Sequence, residues 1–168
     1  MKIFLIGMPG SGKTTTGKLL AEKLKLPFVD LDVEIEKSEG QPINQIFEKK
    51  KENYFRQVES SILNKFCSSS ESFIMSTGGG APCFHDNMTM MNNSGKTVFL
   101  DVPAKEIAAR LEKTNLHERP LFAKLSSEQL KDKIEFLRSQ RISFYKKAEC
   151  IFEGREISVE SIISKVIS

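Results

Sequence analysis

Cysteine and histidine are scarce in this chain of 168 residues, which has three of the first and two of the second. Cys67, Cys83 and Cys150 are odd in number and far apart, and no Cys-x-x-Cys pair or histidine cluster accompanies them. Neither a disulfide framework nor a structural zinc site is expected. No apolar run is long enough to cross a bilayer, and no charged-then-apolar leader stands at the start, so the expectation is a cytoplasmic protein without a membrane partner. An excess of one charge is also missing. The 25 Lys and Arg are interspersed with 22 Asp and Glu, for a formal net charge of +3, and no basic stripe of the kind that tracks a nucleic-acid backbone forms. With no internal repeat, low-complexity tract or linker, a single domain over 1–168 is expected, working as a monomer.

What is present is a regular alternation. Short apolar runs at 2–6, 27–31, 72–76, 97–102 and 149–153 are separated by stretches of helical period, which predicts an α/β fold with a five-stranded, mostly parallel sheet covered on both faces. Between the second and third runs, the patterned stretches 42–50 and 53–66 exceed what one crossover needs, and Pro42 stands near a helix start. They predict a helical substrate-binding insertion over about 33–62. The polar stretch 114–127 contains Pro120 and lies between helices beginning near Ala104 and Glu128, so a lid over about 112–127 is expected. The serine run 68–70 reads as a turn.

Gly7-Met8-Pro9-Gly10-Ser11-Gly12-Lys13-Thr14 matches G-x-x-x-x-G-K-[ST] between a strand and a helix. Glycines let successive backbone N–H groups face phosphates, the helix N-terminus adds its positive end, Lys13 reaches the outer phosphates and the Thr14 hydroxyl suits Mg²⁺. Gly10, Ser11, Gly12, Lys13, Thr14 and Thr15 are the expected nucleotide-binding residues here. The absence of an Asn-Lys-x-Asp base-reading motif and of an Asp-x-x-Gly switch argues against a regulatory GTPase and for a small-molecule phosphate acceptor.

Acceptor residues follow from carboxylates and arginines in unusual places. Asp30 and Asp32, two apart at the end of the second strand, are expected to project from one face. One would hold the Mg²⁺ shell through water while the other accepts from an acceptor hydroxyl; a helix cap by Asp32 is the plain alternative. In the helix 128–145 the apolar stripe Leu130, Ile134, Leu137, Phe144 is interrupted by Arg141, and Glu59 interrupts the stripe Phe55, Val58, Ile62, Phe66 beside Arg56. A buried ion pair between Glu59 and one arginine would leave a second guanidinium for a ligand carboxylate. Arg119, before Pro120, suits charge balance on a transferring phosphoryl group. Ser76-Thr77-Gly78-Gly79-Gly80 lets backbone approach a ligand closely. Asp101 ends a hydrophobic run in the manner of a metal-binding strand, but the Asp30 and Asp32 pair is the preferred site. Cys83 reads as a packed small residue rather than a reactive thiol. On residues alone, a kinase for another small acceptor such as gluconate or a nucleoside monophosphate, and a non-catalytic nucleotide-binding regulator, remain open.

The ordered series GMPGSGKT, DLD, FRQVES, STGGG, RPL and QRISFY spans nearly the whole chain and resembles the motif set of the shikimate kinase family. The resemblance implies the nucleoside-monophosphate-kinase type of P-loop fold, with strand order 2-3-1-4-5. It implies transfer of the γ-phosphoryl of ATP to the 3-hydroxyl of shikimate, a step toward chorismate and the aromatic amino acids, with Mg²⁺ as cofactor. By the same resemblance Asp32 holds the shikimate hydroxyls and accepts a proton, and Asp30 lies near Mg²⁺. Arg56 and Arg141 bind the carboxylate, Gly78, Gly79 and Gly80 line the pocket, Phe47 and Phe55 form its apolar wall, and Glu59 orients the arginines. Lys13 and Arg119 are the remaining catalytic residues, while Arg110 and the loop around Gly154 and Arg155 flank the adenine. Phe122 and the FEGR loop depart from the family pattern.

Overall fold

The computed structural model describes residues 1–114, 122 and 125–167 of the chain. Five strands, β1 (Lys2–Ile6), β2 (Phe28–Asp30), β3 (Phe73–Ser76), β4 (Lys96–Asp101) and β5 (Cys150–Glu153), form one sheet in the order β2-β3-β1-β4-β5. Every neighbouring pair is parallel. The order is the one the resemblance implies, and each apolar run found in the sequence coincides with a strand to within a residue or two.

Why the strands are nearly all apolar is plain from β1. Ile3 and Leu5 enter a core with Leu20 and Ala21 of helix α1 (Lys13–Leu24) and Ile162 and Val166 of α7 (Val159–Ile167). Phe4 and Ile6 enter the opposite core with residues of α3 (Ile43–Ser68), α4 (Asn87–Ser94) and α6 (Ser127–Tyr145). A strand covered on both faces has no solvated side to occupy with polar residues. Each such fully buried side chain contributes roughly 1.5–3 kcal/mol relative to exposure. No helix among the described residues is long and apolar enough to cross a membrane.

Two elements position the site. Helix α2 (Leu31–Glu39) follows β2 without a loop and packs on α3, giving the helical insertion. The stretches expected at 42–50 and 53–66 are two helices that abut within α3, parted at Lys51, whose φ of 69° and ψ of 171° are not helical. Lysine itself gives no sequence signal for the residue at which they part. The second element is α6, which starts with a capping box of Ser126 and Gln129 and lies against α5 (Ala104–Glu112). Its buried stripe is Leu130, Ile134, Leu137, Arg141 and Tyr145. The last turn thus buries Tyr145 and not Phe144, because a step of four keeps the stripe on one face. Arg119 and Pro120, and with them most of the expected lid, lie outside the described residues.

Candidate active site

The phosphate loop leads from β1 into α1. Gly12 precedes the helix with φ 95°, and no side chain caps the first N–H groups of α1. Those donors and the positive end of the helix form an anion cradle. Lys13 is buried, its Nζ donating to the carbonyls of Gly7 at 3.0 Å and Met8 at 2.9 Å. Ser11 is buried too, and its Oγ has no hydrogen-bond partner among the described residues. Gly10, Thr14 and Thr15 line the same cleft.

Strand alternation predicts that Asp30 and Asp32 share a face; the structure joins them by a different device. Asp30 is the N-cap of α2, its Oδ1 accepting the Asp32 N–H at 3.1 Å, and Asp32 already lies in the first helical turn. The capping aspartate is therefore Asp30 and not Asp32. The Thr14 hydroxyl donates to Asp30 Oδ2 at 3.3 Å and lies 3.3 Å from Ser76 Oγ. Three hard oxygen donors from α1, β2 and β3 meet there. Mg²⁺ takes few protein oxygens and keeps several waters, so these residues fit it. Ser76 carried no role in the sequence beyond opening the glycine run; its place at the carboxyl end of a central strand was the available signal. Asp101 is engaged elsewhere, accepting from Arg138 NH2 at 2.8 Å.

The acceptor half is organised by the triple glycine. A Cβ on Gly80 would stand 2.4 Å from Arg56 NH2, and one on Gly79 would stand 2.6 Å from Pro9 Cδ and 3.1 Å from Arg141 NH1. One on Gly78 would stand 3.1 Å from both Asp32 Oδ1 and Glu59 Oε1. There is no room for side chains at Gly79 and Gly80, and the bare backbone brings four charged groups around one space. Tyr145 fixes this loop, its hydroxyl donating to the Gly79 carbonyl at 2.6 Å. Phe47 and Phe55 pack with ring centroids 4.6 Å apart and planes tilted by 39°, and both line the same cleft.

Arg56 donates through NH1 to Glu59 Oε2 at 2.9 Å, and through Nε and NH2 to Glu52 Oε1 at 3.3 and 3.2 Å. Phe84 covers its guanidinium at 4.4 Å, a cation–π contact. The ion pair anticipated for Glu59 is thus made with Arg56, and Arg141 is the guanidinium left over. Arg141 NH1 and Glu59 Oε1 are both buried without a hydrogen-bond partner among the described residues. Such groups are costly to leave unmatched, and an anionic, hydroxyl-bearing ligand matches both.

Burial, reinforced by the charge of Asp30, raises the Asp32 carboxyl to about 6 despite Lys13 and Arg56 nearby. Burial likewise raises Glu59 to about 7 against the pull of Arg56. Cys83 is pushed up to about 11 by burial, which leaves it a protonated, poorly nucleophilic thiol at neutral pH.

At the other end of the cleft, Arg110 NH1 donates to the Ser11 carbonyl at 3.4 Å and NH2 to the Arg155 carbonyl at 2.6 Å. Arg110 and Arg155 both pair with Glu106. Phosphate loop, acceptor cluster and the two arginines line one continuous cleft of about 930 Å³, ample for a nucleotide beside a small acceptor. The structure thus gathers the expected site residues, Arg119 excepted because it lies outside the described residues.

The shikimate kinase family profile matches residues 9–168. A shikimate kinase of Parabacteroides distasonis is 41% identical over 165 residues, covering 98% of this chain and 94% of the relative. The crystal structure of shikimate kinase from Bacteroides thetaiotaomicron superposes with a TM-score of 0.89 at 38% identity, covering 98% of this chain and 95% of that one. The solved structure of shikimate kinase from Acinetobacter baumannii in complex with shikimate gives 0.86 at 32% identity, covering 99% of this chain and 90% of that one. With a phosphate loop and an arginine-rich acceptor pocket in one cleft and relatives matched over nearly their full length, the chain belongs to the shikimate kinase family.

Proposed function

We propose that the chain transfers the γ-phosphoryl group of ATP to the 3-hydroxyl of shikimate, giving shikimate 3-phosphate and ADP. The observation that carries this reading is the convergence of Asp32, Glu59, Arg56 and Arg141 on the triple glycine, in the cleft that also holds the phosphate loop. Shikimate offers a carboxylate for Arg141 and Arg56 and hydroxyls for Asp32, and the relative from Acinetobacter baumannii was solved with it bound.

In this reading Arg141 and Arg56 hold the carboxylate, and the Phe47 and Phe55 wall packs the ring. Glu59 keeps Arg56 in plane. Asp32 accepts a hydrogen bond from the 3-hydroxyl and takes its proton as the oxygen bonds to the γ-phosphorus and the β–γ bridging bond breaks. At neutral pH an acid near 6 is mostly ionised, as a base must be, and still close enough to the working pH for proton transfer. Lys13 and the N-terminus of α1 neutralise the phosphates, and Arg119 is proposed to add its charge from the lid over 112–127. Most of the acceleration then comes from positioning and electrostatics. Thr14 directly and Asp30 through water would hold Mg²⁺, which supplies charge neutralisation between the outer phosphates. The described residues of the cleft all come from one chain, which supports a monomer, and as a consumer of ATP the enzyme is proposed to be cytoplasmic.

A coupled ADP-release assay across shikimate, gluconate and nucleoside monophosphates tests the assignment. Turnover is expected with shikimate alone; turnover with gluconate and none with shikimate would move the acceptor elsewhere.

A further inference from the structure

One charged cluster in the cleft belongs to neither the phosphate cradle nor the acceptor pocket. Glu106 stands in the first turn of α5, with its side chain 20% exposed. Its two oxygens are divided between two arginines from different elements: Oε1 accepts from Arg110 Nε at 3.0 Å and Oε2 pairs with Arg155 Nε at 2.9 Å. Arg110 closes the ring by donating to the backbone of Arg155 and of Ser11. One carboxylate thereby joins α5, the phosphate loop and the loop between β5 and α7.

The electrostatics explain why the carboxylate matters. Two guanidinium groups held near one another repel, and Arg155, with 77% of its side chain exposed, has no other ion pair among the described residues to keep it from swinging into water. A single negative charge between them offsets the repulsion. Because both arginines are held by Nε, their planar faces stay available, and a guanidinium face is a stacking surface for an aromatic ring. The cluster opens beside Gly12, at the end of the phosphate loop away from the acceptor cluster: a Cβ on Gly12 would lie 3.5 Å from Arg110 NH1.

We propose that Glu106 is a positioning residue for the nucleotide base, holding Arg110 and Arg155 as a preformed slot into which the purine stacks. This rests on the reading of the cleft as an ATP site and goes beyond it by assigning the slot's order to an acid that touches no substrate. Glutamine at this position puts an NH₂ donor where one of the two carboxylate oxygens accepted, and it carries no charge to keep the arginines together.

The test compares the wild type, Glu106→Gln and Arg110→Ala by titration calorimetry with MgATP and with magnesium tripolyphosphate, which has the phosphates but no base. Glu106→Gln is expected to weaken MgATP about three- to tenfold, the range for losing partly exposed ion pairs, while tripolyphosphate binding and the KM for shikimate stay at wild-type values. If Arg110→Ala weakens MgATP and Glu106→Gln does not, the role of Glu106 is refuted and the ATP site stands. Equal weakening of both ligands would also refute it, by showing that Glu106 acts on the phosphate loop. If neither variant alters MgATP binding, the reading of this end of the cleft as the base site fails with it.

Discussion

Lysine 51 sits in backbone that lysine rarely adopts, and replacing it with glycine should stabilise the protein. With φ 69° and ψ 171°, the residue lies in a region that is essentially glycine-only, where a side chain costs about 1–3 kcal/mol. Its own contacts offset little: Nζ reaches the Glu48 carbonyl at 3.4 Å on an exposed surface. Glycine removes the Cβ clash but gives the unfolded chain more freedom, which returns roughly 0.4–1 kcal/mol. The net expectation is a gain of about 0.5–2 kcal/mol. At roughly 2–4 °C per kcal/mol for a chain of this size, the melting temperature should rise by about 1–8 °C. Thermal melts and urea titrations of the wild type, Lys51→Gly and Lys51→Ala measure it. The alanine variant loses the ammonium and keeps the Cβ, so it should stay within about 0.5 kcal/mol of wild type. If glycine proves no more stable than alanine, the strain is not there and the kink has another cause.

Four further outcomes follow from the acceptor pocket. Arg141→Ala should raise the KM for shikimate about ten- to a hundredfold, the worth of a charged hydrogen bond, and leave the KM for ATP nearly unchanged; equal damage to both would count against its role. Glu59 has a folded-state pKa raised to about 7 from 4.5 by burial, so its contribution to stability is full below about 4.5 and is lost as pH rises through 7. The melting temperature of the wild type minus that of Glu59→Gln should therefore fall from pH 5 to pH 8, and a flat or rising difference would contradict the buried state. By the same physics, protonating Asp32 near 6 should give kcat/KM an acid limb there. Tyr145→Phe leaves the Gly79 carbonyl without its donor and should cost about 1–3 kcal/mol in urea denaturation; a neutral effect would mean that water replaces the hydroxyl.

Much of this architecture was legible because its signals are local. The phosphate loop is one contiguous segment, and a strand buried on both faces betrays itself by continuous apolarity, so β1 and β4 are found almost to the residue. Arg141 and Glu59 stood out as charges within apolar stripes. Other features depend on geometry that spacing does not encode. Asp30 and Asp32 are brought together by a helix cap at a point where the chain passes from strand to helix without a turn, and period-two reasoning fails at such a junction. The break in α3 falls on a lysine, a residue with no preference for breaking helices, so the two patterned stretches 42–50 and 53–66 were legible while the strained residue between them was not. Glu106 left one local trace, its i,i+4 spacing to Arg110, but the meeting with Arg155 joins distant parts of the chain.

The helix cap at Asp30 ties two chemical duties to one hinge of the chain. Its carboxylate faces the hydroxyl of Thr14 on one side and anchors the amide of Asp32 on the other, while Asp32 looks toward the bare backbone of Gly78. Any tilt of the α2 and α3 pair against the sheet must carry both oxygens together. A movement that brought Asp32 closer to a bound acceptor would therefore shift Asp30 relative to Thr14 in the same stroke.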